Sequence, residues 1–212
     1  MNPGGSSARR PTPPPRASTG DDPDAARGDW MQTFTGRAVY PMSMTPDDVD
    51  IVDIAHGLSL LCRFNGQCDR YYSVAEHCLL MSQQFTDLDL AAWALLHDAT
   101  EAYVGDMIRP LKASMPAYRQ VEDDVMLAIA RRFDLPLRGE RDASMPAPVK
   151  LADQRILLAE RNALMANTQR RWDVDDLEPL PVEIVGYDPV TIEQMYLRRF
   201  DELRPGVIAA AA

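Results

Sequence analysis

Apolar residues return at helical spacing through most of this chain, and each such stretch carries its own start and stop signals. Thr45 reads as an N-cap with Pro46 at the first helical position and Asp47 and Asp48 in the first turn. The helix there, or a short one followed by a second over Asp53 to Cys62, should end near Asn65 and Gly66. Ser73 and Glu76 form a capping box ahead of a stripe of Val74, His77 and Met81. Asp87 or Asp89 opens a helix over roughly 88–103 with Leu90, Ala94, His97 and Glu101 on one face, and Gly105 ends it. Pro116 opens another, with Tyr118, Val121 and Val125 inward, to about Phe133. Pro146 or Pro148 opens a longer one to about Asn167, with the stripe Val149, Asp153, Ile156, Leu157, Glu160 and Leu164. Asp188 and Pro189 cap a last helix through Leu203. No strand pattern of more than a few residues competes and nothing repeats. The pattern specifies an all-α helical bundle.

The size permits one core. With 212 residues, 46% of them hydrophobic, a single domain over about 31–205 is expected. Residues 1–30, rich in Gly, Ser, Pro and then Asp, offer little to bury and read as a disordered tail. A net charge of −10 and a pI near 4.7 exclude a nucleic-acid polymer as partner, because no basic surface neutralises a polyphosphate backbone. A small anionic ligand stays compatible, since a metal and a few local cations can hold it. Cys62, Cys68 and Cys78 fit neither a disulfide framework nor a zinc ribbon, so reduced thiols in a cytoplasmic protein are expected. No membrane span or secretion leader is legible.

Four ionisable residues break the apolar stripes. His77, the pair His97-Asp98 and the distant Asp153 each stand where a core residue belongs, and two of them are among only three histidines in the chain. Burying an unpaired carboxylate at Asp153 is costly unless a cation accompanies it, either a metal or Lys150. Two imidazoles and two carboxylates can hold one divalent cation and leave positions open. Such a mixed set suits manganese, cobalt, iron or zinc better than magnesium. Glu101 lies one turn past the pair, placed for proton transfer and not for ligation.

The runs Tyr72-Ser73-Val74-Ala75-Glu76-His77 and Leu96-His97-Asp98-Ala99-Thr100-Glu101 resemble the HD-domain metal-dependent phosphohydrolases. So do Gly105-Asp106 with Pro110-Leu111-Lys112, and Lys150-Leu151-Ala152-Asp153. The likeness covers about residues 45–170 and is nearest to the bacterial 5′-deoxynucleotidases of the YfbR type and related phage deoxynucleotide hydrolases. It implies an HD-domain bundle in which His77, His97, Asp98 and Asp153 bind the metal. Glu101 would act in proton transfer, and Asp106 would position water or the leaving oxygen. An Arg and a bulky aromatic precede the first ligand in that branch, and Arg63-Phe64 match them, holding phosphate and packing against the sugar. Phe stands where Trp is more usual, so selection for deoxyribose should be partial. Lys112 could offset phosphate charge, although a solvated surface cation is the ordinary reading. No histidine follows His97, which favours one metal over two and sets the chain apart from the triphosphohydrolases with later catalytic histidines. His56 falls outside these positions and reads as structural.

The resulting expectation is hydrolysis of the 5′-phosphate of deoxynucleoside monophosphates, with a nucleotide as the small-molecule partner. Two alternatives stay open. One is release of triphosphate from a deoxynucleoside triphosphate, which attacks the same phosphorus. The other is a sensor that binds metal and nucleotide without turnover, against which Glu101 and Asp106 argue. A homo-oligomer stays compatible with the sequence.

Overall fold

The computed structural model describes residues 24–210. Most of the expected tail, residues 1–23, lies outside them. Residues 24–30 differ from the composition-based reading. A single 3-10 turn, Ala25–Arg27, brings the Arg27 guanidinium onto Asp48 and to 4.4 Å from the Tyr40 ring. Arg27 is further tied to Ser43, donating to its carbonyl and accepting from its hydroxyl at the backbone oxygen. Two short strands, β1 (Met31–Gln32) and β2 (Ala38–Val39), then pair antiparallel.

Helices make the rest of the domain: α1 (Ile51–Leu60), α2 (Val74–Ser82), α3 (Leu88–Leu96), α4 (Glu101–Val104), α5 (Arg109–Lys112), α6 (Pro116–Arg132), α7 (Ala147–Leu164), α8 (Pro189–Leu203) and α9 (Val207–Ala210). The all-α fold is as the periodicity specified. α2 packs on α1, α3, α7 and α8, so it is the centre of the bundle. Trp93, Leu95 and Leu96 of α3, Met81 of α2, Ile129 of α6, Ile156 of α7 and Tyr196 and Phe200 of α8 are fully buried around it. Gly57 allows α1 to meet α4 closely, since a Cβ there would stand 3.0 Å from that of Ala102.

At Thr45 the second of the two readings holds, and two local expectations change. Thr45 and Asp48 cap only a 3-10 turn, Pro46–Asp48, and α1 starts afresh with Asp50 accepting from the Val52 N–H. Ser73 does cap α2 through the Glu76 N–H, but Glu76 does not reach back. Its buried carboxylate instead accepts from the N–H groups of Val185, Gly186 and Tyr187, pinning the segment that leads into α8. The helix expected over 88–103 is broken between Leu96 and Glu101. Its hydrogen bonds tighten there to Ala99 N–H on Leu96 O and Glu101 N–H on Asp98 O. The break has a chemical cause: the His97 ring nitrogen Nδ1 takes the Ala94 carbonyl at 2.8 Å, the acceptor a continuing helix would use for the Asp98 N–H.

Candidate metal centre

α2, the α3–α4 break and α7 each deliver one part of the cluster. His77 projects from the middle of the central helix and is wholly buried. His97 and Asp98 occupy the break, where the tightened turn places both side chains toward α2. His77 Nε2 lies 3.1 Å from His97 Nε2 and 3.7 Å from Asp98 Oδ2, and His97 Nε2 lies 3.2 Å from the same oxygen. Ligand atoms of these three residues all fall within 4.8 Å of one another. Asp153 joins from α7 through His77 alone, its Oδ1 3.5 Å from Nε2. Both carboxylates keep about a fifth of their side-chain surface exposed, so the cluster opens to solvent on the oxygen side.

The outer nitrogens decide what the inner ones do. His77 Nδ1 is 2.6 Å from Glu160 Oε1, and His97 Nδ1 is held by the Ala94 carbonyl. With a proton on each Nδ1, both Nε2 lone pairs point at the same small space beside two carboxylates. Unaccompanied, that arrangement repels itself; His77, His97 and Asp98 form a group able to hold a cation, and Asp153, outside that group, reaches only His77. This donor chemistry fits a metal of the kind imidazole and carboxylate share.

Without a metal, a proton does part of the same work. Burial opposes a charge on His97, but Asp98 and then Cys78 hold its pKa well above the ordinary histidine value. Burial likewise opposes charge on Asp98, yet His97, His77 and Arg63 pull it far below the usual carboxylate range. A raised folded pKa means this proton stabilises the metal-free fold fully below the ordinary histidine value. The contribution is lost as pH rises through the raised value. Metal and proton then compete for Nε2. We expect metal uptake to release a proton and apparent affinity to rise about tenfold per pH unit while His97 is protonated in the free protein. Calorimetry in buffers of different ionisation enthalpy measures it; an affinity independent of pH across pH ~6–8 would show that His97 gives up no proton.

Glu160 is the residue that the sequence reading left without a role. It is fully buried and accepts from Tyr72 OH at 2.9 Å and His77 Nδ1 at 2.6 Å. Arg63 Nη2 stands 3.2 Å from its other oxygen, a charge contact without hydrogen-bond alignment, so Glu160 Oε2 still lacks a hydrogen-bond donor. Burial raises the Glu160 pKa, but Arg63 and His77 outweigh it and keep the group ionised. The signal was present: Glu160 shares the apolar face of Asp153, two turns on, and the cost of a buried carboxylate applies to both.

Arg63 bridges the cluster, with Nη1 3.4 Å from Asp98 Oδ2. It sits in a short 3-10 segment, Arg63–Gly66, in which Phe64 and Asn65 have φ of 56° and 53°. A left-handed phenylalanine costs on the order of 1–3 kcal/mol and marks a loop whose shape is imposed by its surroundings. The Phe64 ring lies 5.6 Å from the Arg63 guanidinium and 6.5 Å from the Trp172 ring.

Glu101 opens α4 with its Oε2 buried and unpartnered. Burial first, then repulsion from Asp98 and Asp106, holds its carboxyl well above the usual range. Asp106 follows Gly105 as an exposed residue, its carboxyl raised for the same leading reason. Lys112 is engaged by Glu122 at 2.6 Å. A cavity of about 560 Å³ runs from His97, Asp98 and Glu101 past Lys112 to Met145. His56 lies apart, stacked on Phe34 and 3.0 Å from Glu193, in a structural setting. Among the described residues no helix is long and apolar enough to cross a membrane.

No family model matches the chain. It is 36% identical over 178 residues to the uncharacterized protein YfdR of Escherichia coli (strain K12), covering 82% of this chain and 95% of that protein. It is also 42% identical over 132 residues to an uncharacterized protein of Rhodobacter capsulatus, covering 58% of this chain and 64% of that one.

Proposed function

The chain belongs to the family of Escherichia coli YfdR, and for this member we propose a metal-dependent phosphohydrolase of the HD-domain kind that removes the 5′-phosphate of deoxynucleoside monophosphates. One observation carries the reading. Among the described residues, the buried side-chain polar atoms without a hydrogen-bond partner belong to Arg63, Glu101 and Glu160, all at the His77–His97–Asp98 cluster. Buried polar groups are otherwise paired, so three such atoms around one donor cluster signal a site built for a polar ligand.

His77, His97, Asp98 and Asp153 would hold one divalent ion, of manganese, cobalt, iron or zinc. When bound, it would supply Lewis-acid polarisation of the phosphoryl group and activation of water. Glu160 fixes the His77 tautomer so that Nε2 faces the cluster. Arg63 places a buried cation beside Asp98, where a phosphoryl oxygen would be neutralised. Glu101, whose carboxyl is raised first by burial and then by Asp98 and Asp106, would take part in proton transfer with the attacking water or the departing 5′ oxygen. Asp106 would orient water or that oxygen.

Phe64, beside Arg63, would pack against a sugar attached to the phosphate. Phe64→Ala should therefore narrow the preference for deoxyribonucleotides over ribonucleotides, by roughly tenfold for the contact of one bulky group. Comparison of kcat/KM for a matched deoxy and ribo pair checks it; an unchanged ratio would remove Phe64 from the sugar site. The reaction itself is tested by product analysis on mono-, di- and triphosphates, with and without a 2′-hydroxyl, across several metals.

A further inference from the structure

Two thiols bracket the Arg63–Phe64 loop. Cys62 Sγ and Cys68 Sγ are 3.6 Å apart, both partly exposed, and Cys68 Sγ also lies 3.8 Å from the Arg63 carbonyl. Each end of the loop is fastened to a different part of the domain. Cys62 bridges Ser73, with Arg63 N–H on Tyr72 O and Val74 N–H on Leu61 O. Next to Cys68, the Asp69 N–H donates to Leu164 O at the end of α7. Between them Phe64, Asn65 and Gly66 follow one another with φ of 56°, 53° and 72°. Cys78, by contrast, is fully buried against His97.

We propose that Cys62 and Cys68 are a reversible oxidation site, closing to a disulfide that reshapes the loop holding Arg63 and Phe64. The sulfurs need to approach from 3.6 Å to about 2.05 Å, which side-chain rotation and a small loop movement supply. The oxidant is a peroxide. One thiol, as its thiolate, attacks the O–O bond, giving a sulfenic acid and releasing hydroxide. The second sulfur displaces the sulfenic oxygen, which leaves as water. Two thiols and one hydrogen peroxide thus become one disulfide and two waters. Cellular thiols reverse the step, so the site reports oxidant instead of bracing the fold. Burial, and the neighbouring Cys62, push the Cys68 thiol up to about 11, so Cys68 is assigned the resolving step. Arg63 spans Asp98 and Glu160, so moving its loop disturbs the cluster.

That last consequence rests on the phosphohydrolase reading; the disulfide does not. The full chain, reduced and then treated with hydrogen peroxide, is unfolded without reductant and its thiols are titrated. One of the three thiols should remain, with the intact mass lower by two hydrogens and the bond mapped to Cys62 and Cys68. Cys68→Ser should form no internal bond and should expose a sulfenic acid at Cys62 to a dimedone probe. Three surviving thiols, or oxidation mapped to Cys78, would overturn the proposal. Manganese affinity and deoxynucleoside monophosphate hydrolysis are then read in both states. The disulfide form should lose roughly 10²-fold in turnover and regain it with dithiothreitol, the reach of a displacement of about 1 Å at a reacting centre. Equal turnover and equal manganese affinity in both states would refute the coupling. A chain that never hydrolyses nucleotides but forms the disulfide would refute the reaction and leave the pair standing.

Discussion

Glu101→Gln is expected to bind metal as tightly as the wild-type protein and to turn over roughly 10²–10⁴-fold more slowly, the usual reach of general acid-base catalysis. The carboxyl is buried at the start of α4, one oxygen has no partner, and burial, then Asp98 and Asp106, raise its pKa above the ordinary glutamate value. A carboxyl prepared in this way is shifted toward the range useful for proton transfer and has an oxygen free for it. The amide keeps the shape and cannot transfer a proton. Measurement of metal content beside steady-state kinetics separates the roles. If metal were lost with the substitution, Glu101 would be a ligand; if turnover stayed within a few-fold, it would not be an acid.

Glu160→Gln should cost both fold and metal. The carboxylate is the shared acceptor of Tyr72 and His77 and the charge partner of Arg63, all in the interior. Breaking one side of a buried ion pair leaves the other uncompensated, at about 3–5 kcal/mol. For a domain of this size, that corresponds to a fall in Tm on the order of 10 °C. The neutral amide also ceases to be a firm acceptor for His77 Nδ1, and loss of such an outer partner typically weakens metal binding by about 10–100-fold. Thermal melts with and without metal, together with a competition assay against a metal indicator, read the two effects independently. A melting temperature and metal affinity both equal to wild type would make Glu160 a bystander.

Helix limits were legible because caps are local chemistry. Asp188 accepts from Val190 and Thr191 N–H, Ser73 from Glu76 N–H, and α8 and α2 start where these residues predict. What the pattern could not show was competition for a backbone acceptor. The break at His97 depends on a ring nitrogen capturing the Ala94 carbonyl, and a periodicity of apolar residues continues through it undisturbed. The Glu76 carboxylate was assigned to its own N-cap because its true partners, the N–H groups of 185–187, are more than a hundred residues away in the chain. The grouping of His77, His97 and Asp98 could be read from the cost of ionisable groups on apolar stripes, while Asp153, read the same way, reaches only His77. Their mutual distances could not be read. Glu160 violated the same stripe and was passed over because no motif drew attention to it. Lys150, weighed as a partner for Asp153, is exposed.

The most direct test strips the protein with a chelator, restores manganese, cobalt, iron or zinc one at a time, and identifies the products formed from a deoxynucleoside monophosphate. Phosphate and the free deoxynucleoside should appear only in restored samples. Asp153→Ala, which removes the ligand most distant in sequence, should neither retain metal at modest concentration nor form product. Hydrolysis that survives stripping, full metal occupancy in Asp153→Ala, or intact triphosphate released from a deoxynucleoside triphosphate while monophosphates stay inert, would contradict it.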